Sequence, residues 1–178
     1  IANQEFASLN YAKAKEKLFN MLSHKDFAIV NFDDAHYEKM IKNTPAKIIK
    51  YSRKNTILAD IVAKNVKFDK KTFTYEFSIQ DNRDIKNKYS FDISSHLIGS
   101  HNIENILACI SVALSQKIEI KAIIEGIKNL KNVKGRFEFI KEGQKFACII
   151  DYAHTGDALS RILKTCKSLK MNRIITVF

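Results

Sequence analysis

The stretch FACIIDYAHTGDALSRILKTCKSLKMNRIITVF, Phe146 to Phe178, decides the fold class. It opens on a short apolar run with strand character, Phe146 to Ile150, which leads into the polar turn Asp151 to Thr155. Beyond the turn, Ala158, Leu159, Ile162, Leu163, Cys166 and Leu169 recur at helical spacing. A β-branched run, Arg173 to Phe178, follows. Strand, crossover helix and strand within roughly thirty residues predict the opening of a parallel, doubly wound sheet.

Upstream of this unit Gly135 interrupts the pattern, and a domain boundary is expected near Arg136 to Lys141, dividing the chain into residues 1–138 and 139–178. Ile103, Ile106, Leu107, Ile110 and Leu114 keep helical spacing, as do Ile120, Ile123, Ile124 and Ile127. Between Ile57 and Ile93 the period changes to two. The runs Ile57–Phe68, Thr72–Ile79 and Tyr89–Ile93 are broken at Asp69–Lys71 and Asp81–Asn82, which predicts antiparallel hairpins on one edge of the domain. Further upstream the order is a strand at Lys47–Tyr51, a brief helix at Tyr37–Ile41, a polar loop Asn31–Asp34, a strand at Phe27–Val30, and a helix with Tyr11, Ala14, Leu18 and Leu22 as its inward stripe. The alternation predicts an α/β fold, a sheet covered by helices.

Composition narrows the function classes. At 178 residues the chain is long enough for a core, being of the order of one domain or one and a part. Thirty basic against 19 acidic residues give a net charge of +11, which ordinarily points to nucleic acid. The basic residues are scattered and nearly all lysine, however, in a chain also crowded with Ile and Asn, a bias that an A/T-rich genome explains. Five glycines lie too far apart for GxGxxG or GxxxxGK[ST], so any phosphate-cradling loop lies outside this chain. Cys109, Cys148 and Cys166 form no CxxC pair and are read as buried small hydrophobes in a reducing compartment. With no apolar run of bilayer length and no leader-like start, a cytoplasmic location is expected, without membrane or nucleic-acid partners and as a monomer. Both ends of the chain look cut, because no Met opens it and a strand pattern stops at its last residue.

Several residues could carry chemistry. Asp151-Tyr152-Ala153-His154 stands past the carboxyl end of a strand and before a helix, where open α/β sheets bind ligands. The plainer reading is that Asp151 or Thr155 caps the helix and His154 is exposed. Asn102 and Asn105, one helical turn apart, offer amides with the paired donor and acceptor an adenine edge asks for, or else Ser100 or Asn102 is an ordinary cap. Arg136 is one of five arginines and follows a glycine at the inferred junction. There a planar fork for phosphate or carboxylate competes with a solvated linker charge. Lys15, between Lys13 and Lys17, reads by itself as part of a solvated face, and His24, His36 and His96 as surface or core residues.

Taken in order, YAKAKEKLF (Tyr11–Phe19), IVNFDD (Ile29–Asp34), GSHNIEN (Gly99–Asn105), VKGRFE (Val133–Glu138) and DYAHT (Asp151–Thr155) resemble the motifs of the Mur ligase family. These ATP-dependent enzymes add amino acids to the UDP-N-acetylmuramoyl peptide precursor of peptidoglycan. The DYAHT form resembles the member that adds the third peptide residue. The resemblance implies the second half of a central ATPase domain with an antiparallel edge sheet, followed by the start of a Rossmann-like carboxyl-terminal domain. It implies ATP and magnesium as cofactors, and as substrates a UDP-N-acetylmuramoyl dipeptide with an amino acid or diamino acid. It assigns Lys15 as a carbamylated lysine that helps hold magnesium, Asn102 and Asn105 to the adenine side, Arg136 to the phosphates, and Asp151 and His154 to the nucleotide from the third domain.

Two departures stand out: Gly156 occupies the family's proline position, and Ile1–Phe6 offers only Gln4-Glu5 where a magnesium-binding His is expected. The phosphate loop and the UDP-binding domain are expected upstream, and acceptor recognition downstream, so the chain alone is expected to be inactive. The alternatives are a folylpolyglutamate synthase, whose turn reads D-x-A-H-N-P, and a non-catalytic Mur-like binding module.

Overall fold

The computed structural model describes residues 13–54, 57–84, 88–169 and 173–177. Tyr11, Gln4, Glu5 and Phe178 lie outside the described residues. Five strands form one sheet in the order β1 (Phe27–Asn31), β2 (Lys47–Ser52), β3 (Ile61–Asp69), β4 (Thr74–Asp81), β5 (Tyr89–Ser95). The first three run parallel, and β3, β4 and β5 are antiparallel, so the period-two runs form the expected hairpin edge. A bulge between Lys64 and Lys67 places Asn65 at φ 55, a left-handed conformation that asparagine tolerates better than most residues.

Beyond a helical stretch at residues 13–20, the helices among the described residues are α1 (Tyr37–Ile41), α2 (Ser100–Ser115), α3 (Ile120–Asn129) and α4 (Gly156–Ser168). Alternation along β1 turns Phe27 and Ile29 towards the core shared with α2, while Ala28 and Val30 are buried on the other face. The inward stripe of α2, Ile103, Ile106, Leu107, Ile110 and Leu114, packs on Ile61, Ile79 and Ile93, and Ile123 of α3 completes the cluster. Removing a side chain such as Leu107, wholly buried here, typically costs about 2–5 kcal/mol through lost transfer energy and the cavity left behind. This core holds the amino end of α2 over the carboxyl ends of the parallel strands: Arg53, just past β2, donates from Nη1 to the Ser100 carbonyl at 2.8 Å and meets Glu104 at 3.5 Å.

A second, two-stranded sheet pairs β6 (Glu138–Ile140) with β7 (Cys148–Ile150) in antiparallel register. Strand β6 has no counterpart in the sequence reading. Residues 173–177, expected to be a strand, carry no strand assignment. β-branched content makes a segment able to be a strand, but only a hydrogen-bonded neighbour makes it one. Ile174 packs on Phe137 and Cys166, whereas Ile175 and Val177 are exposed.

The first helix also differs from expectation. Residues 13–20 are helical, yet Ala14 and Leu18 are exposed and the inner positions are Phe19 and, just beyond, Leu22, both half-buried. What anchors this segment is polar: the Thr44 hydroxyl donates to the Phe19 carbonyl at 2.7 Å. Of the three cysteines Cys166 is buried, Cys148 partly so, and Cys109 is exposed, which corrects the expectation that all three are buried. Among the described residues no helix is long and apolar enough to cross a membrane.

Candidate functional site at the junction of the two sheets

Residues Val133–Arg136 form a tight turn closed by the Arg136 N–H donating to the Val133 carbonyl at 2.9 Å. Gly135 occupies its third position at φ 68, where a turn of this kind requires a left-handed residue. Both neighbours of Arg136 are tied to the end of β7. The Tyr152 N–H donates to the Gly135 carbonyl at 2.8 Å, and the Phe137 N–H donates to Asp151 Oδ2 at 2.8 Å. Glu138 closes the turn from inside, accepting from the Gly135 N–H at 2.7 Å. Arg136 is thus an exposed guanidinium on a fixed backbone, its Cζ 5.5 Å from the Tyr152 ring centre. These anchors fix the backbone on either side of Arg136, and Asp151 spends one carboxylate oxygen on holding the turn.

Between α2, α3 and the start of α4 lies a cavity of about 930 Å³, within the range of small-molecule sites. Its walls include Asn102, Asn105, Arg136 and Asp151, four of the six residues singled out from the sequence. Leu97, Ile106, Ile127 and Leu130 supply an apolar wall. Asn102 is buried and donates from Nδ2 to the Ile98 carbonyl at 2.7 Å, while its Oδ1 accepts from Asn105 Nδ2 at 3.1 Å. Its amide is therefore committed within the protein, and Asn105, exposed, is the amide it orients. Neither Ser100 nor Asn102 caps α2, whose N-cap position is Gly99 with no side-chain cap.

His154 and Lys15 do not line this cavity. His154 is exposed, its Nδ1 is 2.9 Å from the Tyr152 carbonyl oxygen and its ring lies 4.9 Å from that of Tyr152. The capping alternative holds for Thr155, whose Oγ1 accepts from the Ala158 N–H at 3.3 Å, and not for Asp151. Lys15 stands exposed on the helical residues 13–20. Asp33 accepts from the Ser52 hydroxyl at 2.6 Å and the Arg53 N–H at 2.8 Å, so its oxygens tie the loop after β1 to the end of β2. Among the described residues no three His, Cys, Asp or Glu side chains gather to hold a metal ion.

Two wall residues had been passed over. His101 lies half-buried on α2, and burial lowers its pKa below the usual imidazole value. Asp151 and Glu104 oppose that shift, while Arg161 and Arg136 add to it. Arg161 brings a second guanidinium to the wall, held by Asp157 at 2.9 Å, though it is itself well exposed. The signal for His101 was its place within GSHN; Arg161 sits on a helix face whose partner no local pattern reveals.

A mixed sheet with a hairpin edge, a separate two-stranded sheet, and an arginine-bearing turn beside a cavity between them define an α/β protein. The Mur ligase middle domain matches residues 6–113, and the Mur ligase glutamate ligase domain matches residues 135–178. The chain belongs to the Mur ligase family. It is 34% identical over 173 residues to a UDP-N-acetylmuramoyl-L-alanyl-D-glutamate–2,6-diaminopimelate ligase of Bacillus licheniformis, covering 94% of this chain and 34% of that one. It is 36% identical over 171 residues to the protein of the same name from Syntrophomonas wolfei, covering 95% and 33%. A solved structure of such a diaminopimelate ligase superposes with a TM-score of 0.67 at 30% identity, covering 88% of this chain and 31% of that one. The chain spans about a third of the length of these relatives.

Proposed function

We propose that this chain is part of an ATP-dependent amide ligase that adds the third peptide residue to UDP-N-acetylmuramoyl-L-alanyl-D-glutamate in peptidoglycan precursor synthesis, and so serves cell-wall biogenesis, cell shape and division. Residues 1–138 belong to the central ATP-binding domain and 139–178 to the start of the carboxyl-terminal domain, working as a monomer in the cytoplasm. The observation that carries the reading is the convergence of Asn105, Arg136 and Asp151 on one apolar-walled cavity at the junction. The relatives' names supply the substrate class, a UDP-muramoyl dipeptide and a diamino acid.

In this reading a carboxylate oxygen of the dipeptide attacks the γ-phosphorus of ATP, ADP leaves, and an acyl phosphate forms. The incoming amine then attacks the acyl carbon, phosphate departs and the amide remains. Charge gathers on phosphoryl oxygens throughout, which suits a fixed planar donor fork such as Arg136. Asn105, steadied by Asn102, offers the adenine edge its donor and acceptor. Asp151 holds the turn that carries Arg136 through one carboxylate oxygen and offers the other to the nucleotide, while His154, outside the cavity, would reach the nucleotide only from the rim. Magnesium, when bound, would screen the phosphates.

Lys15 as a carbamate would supply one oxygen ligand to the metal, the others coming from outside the described residues. Carbon-13 bicarbonate NMR of the full-length enzyme checks this: a carbamate resonance is expected, and its survival in Lys15→Ala would refute the assignment.

The test of the whole reading is phosphate release by the full-length enzyme, which should require ATP, the UDP-muramoyl dipeptide and a diamino acid together. Arg136→Lys should lose about 100- to 1000-fold in kcat, since a point charge replaces a preorganised fork. Release that needs no dipeptide, or near-normal turnover by the lysine variant, overturns it.

A further inference from the structure

On the other side of Arg136 the turn between β3 and β4 comes close to β6, and a second cavity of about 540 Å³ opens between them. Its floor is aromatic. Phe73 and Phe139 meet edge to face with ring centres 6.2 Å apart, and Phe137 lies 5.7 Å from Phe139. Its rim is cationic, carrying Lys71, Lys131, Lys141 and Arg136, and among the described residues no acidic side chain lines it. Among the described residues none of these four cations forms an ion pair. Lys131 Nζ instead lies 2.9 Å from His96 Nε2; an ammonium can only donate, so the imidazole accepts, and the positive charge stays uncompensated.

The backbone adds an independent observation. Phe73 at φ 55 and Phe137 at φ 47 both hold the left-handed conformation, an outlier for a bulky aromatic residue, and both rings enter this one cavity. Such strain costs of the order of 1–3 kcal/mol each and clusters where ligands are held. The Phe137 N–H is held by the Asp151 carboxylate, and Phe73 stands in the turn between β3 and β4 with its ring edge-on to Phe68 at 6.2 Å. Phe73 nevertheless leaves 46% of its surface exposed, so the strain is not repaid by burial in this structure.

We propose that this cavity, which meets the junction cavity at Arg136 and Leu97, is a second ligand site for a small organic anion: an aromatic or flat apolar body seated on the phenylalanines, with a phosphate or carboxylate group facing the lysine rim. The inference goes beyond the ligase reading and does not depend on it. Unpaired cations around an apolar floor attract an anion and strengthen their hold as its body displaces water, and a bound ring gains edge contacts that inorganic phosphate cannot make.

The experiment is calorimetric titration of 1-naphthyl phosphate into the full-length protein with saturating ADP present, with 1-naphthol and inorganic phosphate as separate arms. One-to-one binding is expected, with both fragments far weaker. Reversing a rim charge in Lys131→Glu should weaken it about tenfold, and Phe73→Ala about fivefold. Lys39→Glu on α1, lining neither cavity, should leave it unchanged. Should Phe73→Ala lose its fold by circular dichroism, Lys131→Glu carries the test. Absence of saturable binding, equal affinity of Lys131→Glu and wild type, or inorganic phosphate binding as tightly as the naphthyl ester would overturn the proposal.

Discussion

A Cβ placed on Gly99 would lie 2.5 Å from Cε1 of His101, and its φ of 105 is one that residues with side chains rarely adopt. Glycine at 99 therefore lets the imidazole fold back against the chain and leave water, which is why burial heads the causes that lower its pKa. The sign of the consequence follows from linkage. Unfolded, the ring titrates near about 6.5; folded, it titrates lower, so the unfolded state binds more protons between the two values. Stability is then undiminished above the unfolded value and falls as the pH drops through it. Against His101→Gln, which cannot charge, the wild type should lose stability between pH 8 and pH 5 in urea unfolding. A wild-type-to-variant difference that stays constant over that range would show that the ring is not desolvated. At this scale the sequence made Arg136 and Asn105 visible through residue type and spacing. It could not show that Asn102 is spent on Ile98 and Asn105, since hydrogen-bond allegiance is decided by distances.

Helix α4 illustrates what an element owes to its first residues. Thr155 is the N-cap at φ −120 and ψ 153, its hydroxyl satisfies the Ala158 N–H, and Asp157 places a negative charge in the first turn. Gly156 is the first helical residue, where proline is favoured because that N–H has no intrahelical partner, and nothing lies within 4 Å of a Cβ built there. Thr155 already holds the extended conformation a following proline demands. Gly156→Pro should therefore stabilise the protein by about 0.4–1 kcal/mol, chiefly by restricting the unfolded chain, and thermal unfolding should shift up by a few degrees. A lower Tm would mean that the loop needs conformations proline forbids. The elements legible in the sequence were those with several turns or pairs of repeat: the stripe of α2, the alternation of β3 and β4, and the short strands flanked by polar loops. Strand β6 escaped because three half-buried residues carry no periodicity, and residues 173–177 misled because composition cannot count hydrogen-bond partners.

Over the whole molecule, the antiparallel edge of the main sheet was legible in the change of period at Ile57. What stayed hidden was the reason for the junction's rigidity, because Asp151 and Tyr152 reach it only in three dimensions. That arrangement also limits what these 178 residues can do unaided. They contain Arg136, Arg161 and a net charge of +11 to draw a polyanion in, but none of the five glycines forms a GxxxxGK[ST] loop to surround a terminal phosphate with backbone N–H donors. Without such donors the charge that develops in phosphoryl transfer is left largely to water. The isolated chain should therefore release no phosphate from ATP, and should bind the nucleotide weakly, through the wall of Asn105, Arg136 and Asp151 alone. Phosphate release is to be followed across the size-exclusion peak of the purified chain. Turnover that co-elutes with the protein and disappears in Arg136→Ala would show that Arg136 and its neighbours suffice for the chemistry, against this assignment of the phosphates to a loop outside the chain.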